Sequence, residues 1–220
     1  DYAEALAAVE AMDWSVLAVD TNDVAVHATV AAYIDRLRDE GKRVLCVVGE
    51  PTSVALETRF ANAAAFNDPA VIYVANGLRG LDGFVREGYR AAALVAGIIA
   101  GEAVTTSFTH YVVPRTTGVV GALTNAQIER AIRSGALVFT VNVARQVQIE
   151  YGINTLVTLG ADQDAGWKKI RRMRTRDHLI ERCVAITDPL IGRVTNSPDG
   201  RATLIAAMQG VVDAMVREGA

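Results

Sequence analysis

The sequence predicts an α/β fold, in which a mainly parallel sheet flanked by helices is followed by a smaller α+β domain. Three observations support this prediction. Helical and strand-like segments alternate through the first half of the chain, which is the order that builds a parallel sheet covered by helices. The segment at residues 44–48 is almost entirely apolar, as expected for a strand covered on both faces. After residue 123 the pattern changes to a capped helix, two alternating runs and two long helices.

The elements of the first half are placed by hydrophobic periodicity and by breaking residues. At residues 23–40 one apolar stripe recurs every three or four residues, and Gly41 ends it. The helix at residues 90–103 carries Gly97 and Gly101, which predict the close approach of a neighbouring backbone. We expect helices at residues 1–12, 23–40, 53–66 and 90–103, and strands at residues 14–19, 44–48 and 70–74.

A stretch rich in Pro, Thr and Gly at residues 113–123 predicts a domain boundary. We therefore expect an α/β core domain at residues 1–118 and an α+β C-terminal domain at residues 119–220. The second domain is expected to end with two long amphipathic helices on either side of a turn at residues 196–200.

A short helix and a β-hairpin are predicted after the boundary. Thr124 and Gln127 have the spacing of a capping box, which marks the start of the helix, and Gly135 stands where its C-terminal cap belongs. Side chains then alternate between inward and outward positions at residues 137–143, and again at residues 147–151. This period of two indicates two paired strands with one solvated face.

The hairpin is the first candidate interaction site. Its turn, around Ala144 and Arg145, lacks the Gly or Asn of a tight primed turn, so we expect a longer or bulged loop. Only two strands are encoded, and we therefore expect both outer edges to be unpaired and open to strands from other chains. The candidate interaction residues here are Phe139, Val141, Arg145, Gln146 and Gln148.

Composition limits the classes of protein to which the chain can belong. The chain has 220 residues, of which 51% are hydrophobic, and this is enough to bury a core. A net charge of −3 predicts neither a nucleic-acid-binding protein nor a protein of the membrane surface. Cys46 and Cys183 are interpreted as buried thiols, since two cysteines make no disulfide framework. No signal peptide is recognised, and the longest apolar helix is too short for a bilayer, so the chain reads as cytoplasmic.

No constellation for catalysis, metal binding or cofactor binding is found. None of the serines lies in a G-x-S-x-G elbow, and the three histidines, His27, His110 and His178, are isolated. The glycines at residues 77–83 have neither dinucleotide nor P-loop spacing, and we expect a turn-rich surface connection there. A triad is recognised by geometry, so an α/β hydrolase-like enzyme with an unrecognised site remains the alternative.

A basic cluster at residues 168–176 is the second candidate interaction site. Six of these nine residues are cations: Lys168, Lys169, Arg171, Arg172, Arg174 and Arg176. Three interpretations are open, namely a solvated helix face, a nucleic-acid patch, and a contact with an acidic protein surface. The third makes Lys168, Arg171 and Arg172 the candidate contact residues. The acidic net charge and the lack of interleaved aromatic residues weigh against the nucleic-acid patch.

The sequence resembles the contractile-tail sheath proteins of phages and phage-like particles. The resemblance is densest in LTNAQIERAIRSGALVFT at residues 123–140, followed by a polar hairpin and by INTL at residues 153–156. It extends over nearly the whole chain, in matching order and spacing. Its other parts are residues 5–19, 38–42, 44–48, 76–77, 95–101, 106–109, 174–177, 191–194, Asn196, Gly200 and Arg201.

The resemblance implies a core with subtilisin-like topology and a structural role without enzymatic activity, cofactor or metal. Sheath subunits of this family polymerise as stacked rings around a tail tube and contract to drive injection. The implied partners are further copies of the chain, joined through strand exchange of arms, the tail tube protein and the baseplate. Neither nucleic acid nor membrane insertion is implied. The implied location is the virion tail, after assembly in the host bacterial cytoplasm. Relatives carry arms at both ends that this chain lacks, so a trimmed subunit is expected.

Overall fold

The computed structural model describes residues 2–220, and the part of the predicted first helix that falls on Asp1 lies outside the described residues. The helices are α1 (Tyr2–Glu10), α2 (Val24–Asp39), α3 (Leu56–Phe66), α4 (Tyr89–Gly101), α5 (Asn125–Arg133), α6 (Ile170–Thr187) and α7 (Pro198–Glu218). The strands are β1 (Val16–Ala18), β2 (Leu45–Gly49), β3 (Val71–Val74), β4 (Gly77–Gly80), β5 (Val85–Arg86), β6 (Thr116–Val120), β7 (Ala136–Leu137), β8 (Phe139–Val141) and β9 (Val147–Ile149).

A four-stranded parallel sheet in the order β1-β2-β3-β7 forms the centre of the molecule. Every residue of β2 and β3 is buried, so both faces of these strands are covered. Helix α4 packs against β1, β2 and β3, and α2 packs against β2. The predicted mixed α/β fold with a mainly parallel sheet is therefore confirmed. The near-continuous apolar sequence of β2 has its physical cause in this two-sided burial.

The prediction that Gly97 and Gly101 admit a neighbouring backbone is wrong. A Cβ atom placed at either glycine would have no atom within 4 Å, and both glycines lie on the exposed side of α4. Close approach occurs elsewhere: a Cβ at Gly49 would lie 2.8 Å from the carbonyl oxygen of Val74. Gly135, with φ of 71°, would place a Cβ 2.7 Å from the Cα of Thr155, so this position requires glycine on both counts.

A second, antiparallel sheet has the order β5-β4-β6. The glycine-rich segment at residues 77–83, expected to be a turn-rich connection, forms β4 and most of the tight connection to β5. At its tip Leu81 and Phe84 are exposed, while the Asp82 carboxylate accepts the backbone N–H of Phe84 and pairs with Arg86.

The alternating run at residues 137–143 is not one strand, as predicted, but belongs to two sheets. Residues 136–137 form β7 and pair in parallel with Tyr73 and Val74 of β3. Residues 139–141 form β8 and pair with β9. A period-two pattern does not reveal this change, because it does not record which strand each part of the run pairs with.

The division into domains at residues 1–118 and 119–220 stays a prediction. The proposed boundary falls inside β6, which pairs with β4 from the first half of the chain. Strand β7, from the second half, completes the parallel sheet beside β3. The two halves therefore share both larger sheets.

The chain ends with two long helices, as expected, and α6 packs against α7. A buried ion pair joins α6 to α2: the Arg38 guanidinium donates to both carboxylate oxygens of Asp177, at 2.8 and 2.9 Å. Their side chains are only 10% and 9% exposed. Within residues 2–220, no helix combines the length and the hydropathy that crossing a bilayer requires.

Candidate assembly interface

The hairpin β8–β9 pairs Phe139 with Ile149 and Val141 with Val147. Its turn is five residues long, as the missing Gly or Asn at the centre predicted. The backbone N–H of Asn142 donates to the carbonyl oxygen of Gln146 at 2.9 Å, and the Asn142 side chain accepts the Gln146 N–H. Arg145 adopts a left-handed φ of 60° inside the turn. The turn therefore presents Arg145 and Gln146 to solvent.

The prediction that both hairpin edges are unpaired is wrong for β9. The segment at residues 110–113 runs antiparallel along it, and the N–H groups of His110 and Val113 donate to Ile149 and Val147 at 2.8 and 2.9 Å. The N–H of Ile149 returns a bond to Tyr111 at 2.9 Å. The outer edge of the strand that carries Gln148 is thus covered within the chain.

The outer edge of β8 is covered at one residue and open beyond it. The Asn76 side chain is fully buried and bonds both backbone groups of Phe139, accepting its N–H at 2.8 Å and donating to its carbonyl at 3.0 Å. The amide side chain takes the place of a paired strand residue. Two residues later, antiparallel alternation turns the N–H and C=O of Val141 away from β9. No group among residues 2–220 bonds to them there.

A groove of about 330 Å³ lies beside this open edge, between the hairpin, β6 and α5. Its apolar lining includes Val119, Leu123, Ile128 and Phe139. Strand β6 is the outer strand of its own sheet, so two sheet edges border the same groove. An apolar groove beside an unpaired strand edge is suited to one further extended segment.

The solvated face of the hairpin carries a polar network at one side of the groove. The Thr140 hydroxyl donates to the Glu150 carboxylate at 2.6 Å, and the Gln148 amide reaches the same carboxylate at 3.3 Å. The imidazole of His110 lies 3.7 Å from Glu150. Of the predicted interaction residues, Phe139, Val141 and Gln148 line the groove, whereas Arg145 and Gln146 lie in the turn.

Most side chains of the basic cluster bond to, or stack on, other groups of the same chain. Lys168 donates to the carbonyl of Val157 at 2.8 Å, and the Lys169 ammonium lies 4.0 Å from the ring centre of Tyr151. Burial lowers the pKa of Lys169. Arg174 donates to the carbonyl oxygens of Glu102 and Ala103 at the end of α4, and Arg176 stacks over Trp167.

Two arginines of the cluster face solvent. Arg172 is 3.0 Å from the Asp164 carboxylate, and hydrogen bonding to Arg172 lowers the pKa of Asp164. Arg171 is exposed and has no bonding partner within residues 2–220. The contact hypothesis therefore rests on Arg171 and Arg172, since Lys168 is committed to the backbone. None of the three lines the hairpin groove.

The histidines and serines form no catalytic arrangement in the part of the chain that the structure describes. His27 is buried on α2 with its Nε2 2.8 Å from the carbonyl oxygen of Thr21, and burial lowers its pKa. Ser15 and His178 line one small cavity of about 110 Å³, but no hydrogen bond joins them. The adjacent Asp177 is held by Arg38. Across residues 2–220 no cluster of three potential metal ligands occurs.

Buried polar side chains at the carboxyl ends of β2 and β3 are satisfied by one another. Glu50 accepts hydrogen bonds from the Asn62 amide, at 2.7 Å, and from the Tyr73 hydroxyl. Burial and the Glu50 carboxylate together raise the pKa of Tyr73. Arg59 donates to the backbone carbonyls of Val54 and Ala75. These hydrogen bonds satisfy the buried carboxylate of Glu50 and the buried guanidinium of Arg59 within the fold.

Sequence reasoning missed Asn76 and the strand-like segment at residues 110–113. An asparagine directly after the apolar strand 71–74 is a polar residue at a position where a buried sheet ends, and this signal was available. The segment at residues 110–113 is too short, and lies too close to Pro114, for periodicity to distinguish it from a loop.

Comparison with known proteins places these features in a family. The family model described as phage tail sheath protein central domain matches residues 1–155. The phage-like element PBSX protein XkdK of Bacillus subtilis (strain 168) is 30% identical over 180 residues, which span 80% of this chain and 36% of that protein. The chain thus spans about a third of the length of this curated relative.

Solved structures agree in fold. The sheath tail protein of Desulfitobacterium hafniense has a TM-score of 0.87 and 32% identity, covering 98% of this chain and 48% of that one. The helical sheath of the anti-feeding prophage in its contracted state has a TM-score of 0.69 and 14% identity, over 97% of this chain and 59% of that one. At that identity the second likeness concerns the fold alone. The chain therefore belongs to the phage tail sheath protein family, through its central domain.

Proposed function

We propose that the chain is the central part of a structural subunit of a contractile tail sheath. The observation that carries this proposal is the match in fold and sequence to a sheath tail protein over 98% of the chain. The solved relatives include a helical sheath in its contracted state and a prophage baseplate. We therefore infer that the full-length protein polymerises as stacked rings around a tail tube, contacts a baseplate, and contracts to drive injection.

The proposal includes several finer features. We propose that the parallel sheet and its helices have a subtilisin-like topology. Residues 119–220 are proposed to form a smaller C-terminal unit. We propose that the particle assembles in the host bacterial cytoplasm and that the finished sheath lies in the virion tail. The relatives are structural sheath proteins, and nothing among them favours the hydrolase-like alternative.

The buried core supports a mechanical role. Contraction of a sleeve requires subunits that change their packing without unfolding, because work done on a soft subunit would deform it instead of moving its neighbours. Strands β2 and β3 are buried throughout, and β7 ties the second half of the chain to the same sheet. A close-packed interior of this kind has low compressibility and transmits strain.

The open edge of β8 supports strand addition between subunits. An extended segment from another copy of the full-length protein, outside these 220 residues, would pair with the free N–H and C=O of Val141. Its apolar side chains would occupy the groove beside Leu123 and Ile128. The pairing is proposed for β8 alone, since residues 110–113 cover β9.

A second contact is proposed at Arg171 and Arg172. Both side chains are exposed near the start of α6, and Arg171 lacks a partner within residues 2–220. An acidic surface of the tail tube or of a neighbouring subunit would be steered and oriented by these charges.

Electron microscopy of the full-length protein assembled with its tube tests the proposal. We expect sleeves from the wild type and from Val141→Ala, which keeps the backbone N–H. Val141→Pro removes that N–H, which no group among residues 2–220 accepts, and is expected to stay folded by circular dichroism yet form no sleeves. Wild-type protein that forms no sleeves would contradict the sheath function. Normal sleeves from Val141→Pro would contradict strand addition alone.

The arginine contact has its own variant. Charge reversal in Arg171→Glu/Arg172→Glu is expected to weaken sleeve assembly, and the defect should vary with salt because exposed charges are screened over about 8 to 10 Å. The double variant Arg133→Glu/Arg217→Glu changes the net charge equally at other exposed positions and serves as the control. Equal assembly by the two double variants would remove the contact from the proposal.

A further inference from the structure

A cleft runs beneath the amino-terminal ends of β1 and β2, on the side of the molecule where α6 crosses. It consists of two adjoining cavities of about 110 and 390 Å³. Ser15, Arg43 and Glu181 line both cavities, so these residues form the neck between them. The cleft is separate from the hairpin groove, with which it shares no lining residue.

Arg43 has an unsatisfied hydrogen-bond donor in this cleft. Its Nε atom is buried and has no hydrogen-bond acceptor within residues 2–220, and no ion pair involves its guanidinium there. The neighbouring cations are all engaged. Lys42 donates to the carbonyl oxygens of Glu10 and Met12, Arg174 to those of Glu102 and Ala103, and Arg38 holds Asp177.

No carboxylate of the cleft forms a hydrogen-bonded ion pair with Arg43. Both carboxylate oxygens of Asp177 accept hydrogen bonds from Arg38. Glu181 lines the neck, and burial, together with the charge of Asp177, raises its pKa, while the nearby charge of Arg43 acts in the opposite direction. Asp13 lines the outer cavity and likewise forms no ion pair with Arg43. A buried guanidinium N–H without an acceptor is unfavourable, and the same guanidinium lines both cavities.

We propose that this cleft binds an oxyanion, a carboxylate or phosphate group, through Arg43. A guanidinium presents a planar fork of N–H donors that matches two oxygens of such a group, and it is less strongly hydrated than an ammonium. The outer cavity, at about 390 Å³, has room for a small dicarboxylate or for the end of an acidic side chain. The anion has two possible sources, a free small molecule and an acidic side chain of a second copy.

Thermal unfolding of the 220-residue chain with succinate or inorganic phosphate, at constant ionic strength, tests the proposal. A ligand that binds only the folded state raises the midpoint, and the rise saturates with concentration. We expect a saturable rise for the wild type and none for Arg43→Met, which keeps an unbranched apolar side chain and lacks the guanidinium group. Arg171→Met removes an exposed arginine outside the cleft and is expected to behave like the wild type.

Glu181→Gln gives a second, opposite readout. It removes a negative charge from the neck, so the apparent affinity for succinate or phosphate should increase about three- to tenfold. An equal rise in all four proteins would indicate a general salt effect and overturn the proposal. So would no rise in the wild type, or one that Arg43→Met retains.

Analytical ultracentrifugation distinguishes the two sources. If an acidic side chain of a second copy occupies the cleft, self-association should weaken with added succinate and in Arg43→Met, and small anions should bind only at millimolar concentration. If the anion is a free molecule, phosphate or succinate should bind at micromolar concentration while self-association is unchanged. Each result supports binding at Arg43 and assigns the source.

Discussion

The parallel sheet and the junctions that attach the second half of the chain to it are held together differently. The sheet is paired strand to strand, and β2 and β3 are buried apolar segments. The junctions depend on polar side chains that reach across to backbone or to one another. Asn76 bonds Phe139, and the Arg38–Asp177 pair holds α6. Burial of apolar side chains therefore stabilises the parallel sheet, whereas buried polar contacts determine where the elements of the second half of the chain pack against it.

A third polar junction lies at the start of β3. The Thr155 hydroxyl donates to the carbonyl of Asp68 and accepts its N–H, while the backbone N–H of Thr155 donates to Val71 at 2.9 Å. Next to it, the Asn67 side chain accepts the N–H groups of Val157 and Thr158 at 2.9 and 2.8 Å. Each junction can be broken singly, which makes the comparison testable.

The largest effect is expected for Asp177→Asn. The substitution leaves the Arg38 guanidinium largely buried without its counter-charge, and breaking a buried pair in this way costs about 3–5 kcal/mol. Urea unfolding would measure the loss. Glu218→Gln weakens the exposed contact with Arg182 and serves as the control, with little change expected. Equal small losses of stability in the two variants would contradict the expectation that the Arg38–Asp177 pair between α2 and α6 stabilises the fold.

Asn76→Ala is expected to have the next largest effect. It leaves the N–H and C=O of Phe139 buried and unpaired, which should lower the free energy of unfolding by about 2–4 kcal/mol. Hydrogen exchange should also show faster exchange at Phe139 than in the wild type. Asn142→Ala, in the exposed turn of the same hairpin, is the matched control. A stability loss no greater than that of the control would show that the hairpin holds its place without Asn76.

The pH dependence of stability reports on the buried carboxyl group of Asp68, at the start of β3. Burial, and next the hydrogen bond with Asp35, raise the pKa of Asp68 to about 7. Because the folded state then holds a proton that the unfolded chain releases near pH 4, stability should fall as pH rises from about 4 to 7 and level off above. Asp68→Asn keeps an acceptor for the Ala70 N–H and cannot ionise.

The difference in unfolding free energy between Asp68→Asn and the wild type should therefore grow in favour of the variant, by about 1.4 kcal/mol for each pH unit between about pH 4 and pH 7. Chemical denaturation at a series of pH values measures it. Asp39→Asn, on the exposed surface of α2, should show no such trend. A difference that stays constant with pH would mean that Asp68 ionises normally in the folded chain.

The smallest effect is expected for Arg172→Ala. Its contact with Asp164 is exposed, and such pairs contribute little to stability. The urea midpoint should match that of the wild type within experimental error. A clear loss would mean that exposed polar contacts also hold the second half of the chain, and the contrast with the buried junctions would disappear.

Sequence patterns predicted the body of the molecule better than its junctions. The apolar segments that became β2 and β3 and the stripe of α2 report burial, which is a property of each segment by itself. The contact of Asn76 with Phe139 joins residues 63 apart in sequence, and no local pattern records it. The single run predicted at residues 137–143 divides between two sheets, and this was missed for the same reason: its first part, β7, pairs with the distant strand β3, whereas β8 pairs with the nearby β9.

At the candidate assembly interface, too, local features were predicted from the sequence and long-range contacts were not. The hairpin strands and their long turn were predicted, because alternation and turn chemistry are local. The covering of β9 by residues 110–113 was not, because it depends on a partner more than thirty residues upstream. The basic cluster looked uniform in sequence, yet its members differ in what surrounds them: Arg171 is exposed, whereas Lys168 and Arg174 bond to backbone carbonyls.

The pairing of β7 with β3 has a consequence for synthesis on the ribosome. Strand β3 ends at Val74, but the partner for its outer edge arrives only with Ala136 and Leu137. While the intervening residues are translated, the nascent sheet has an apolar strand with an unpaired edge, which can associate with other nascent chains. Closure across this distance also raises the contact order and slows folding. For a protein made in many copies, translation speed between residues 74 and 136 would then influence the yield of soluble subunits.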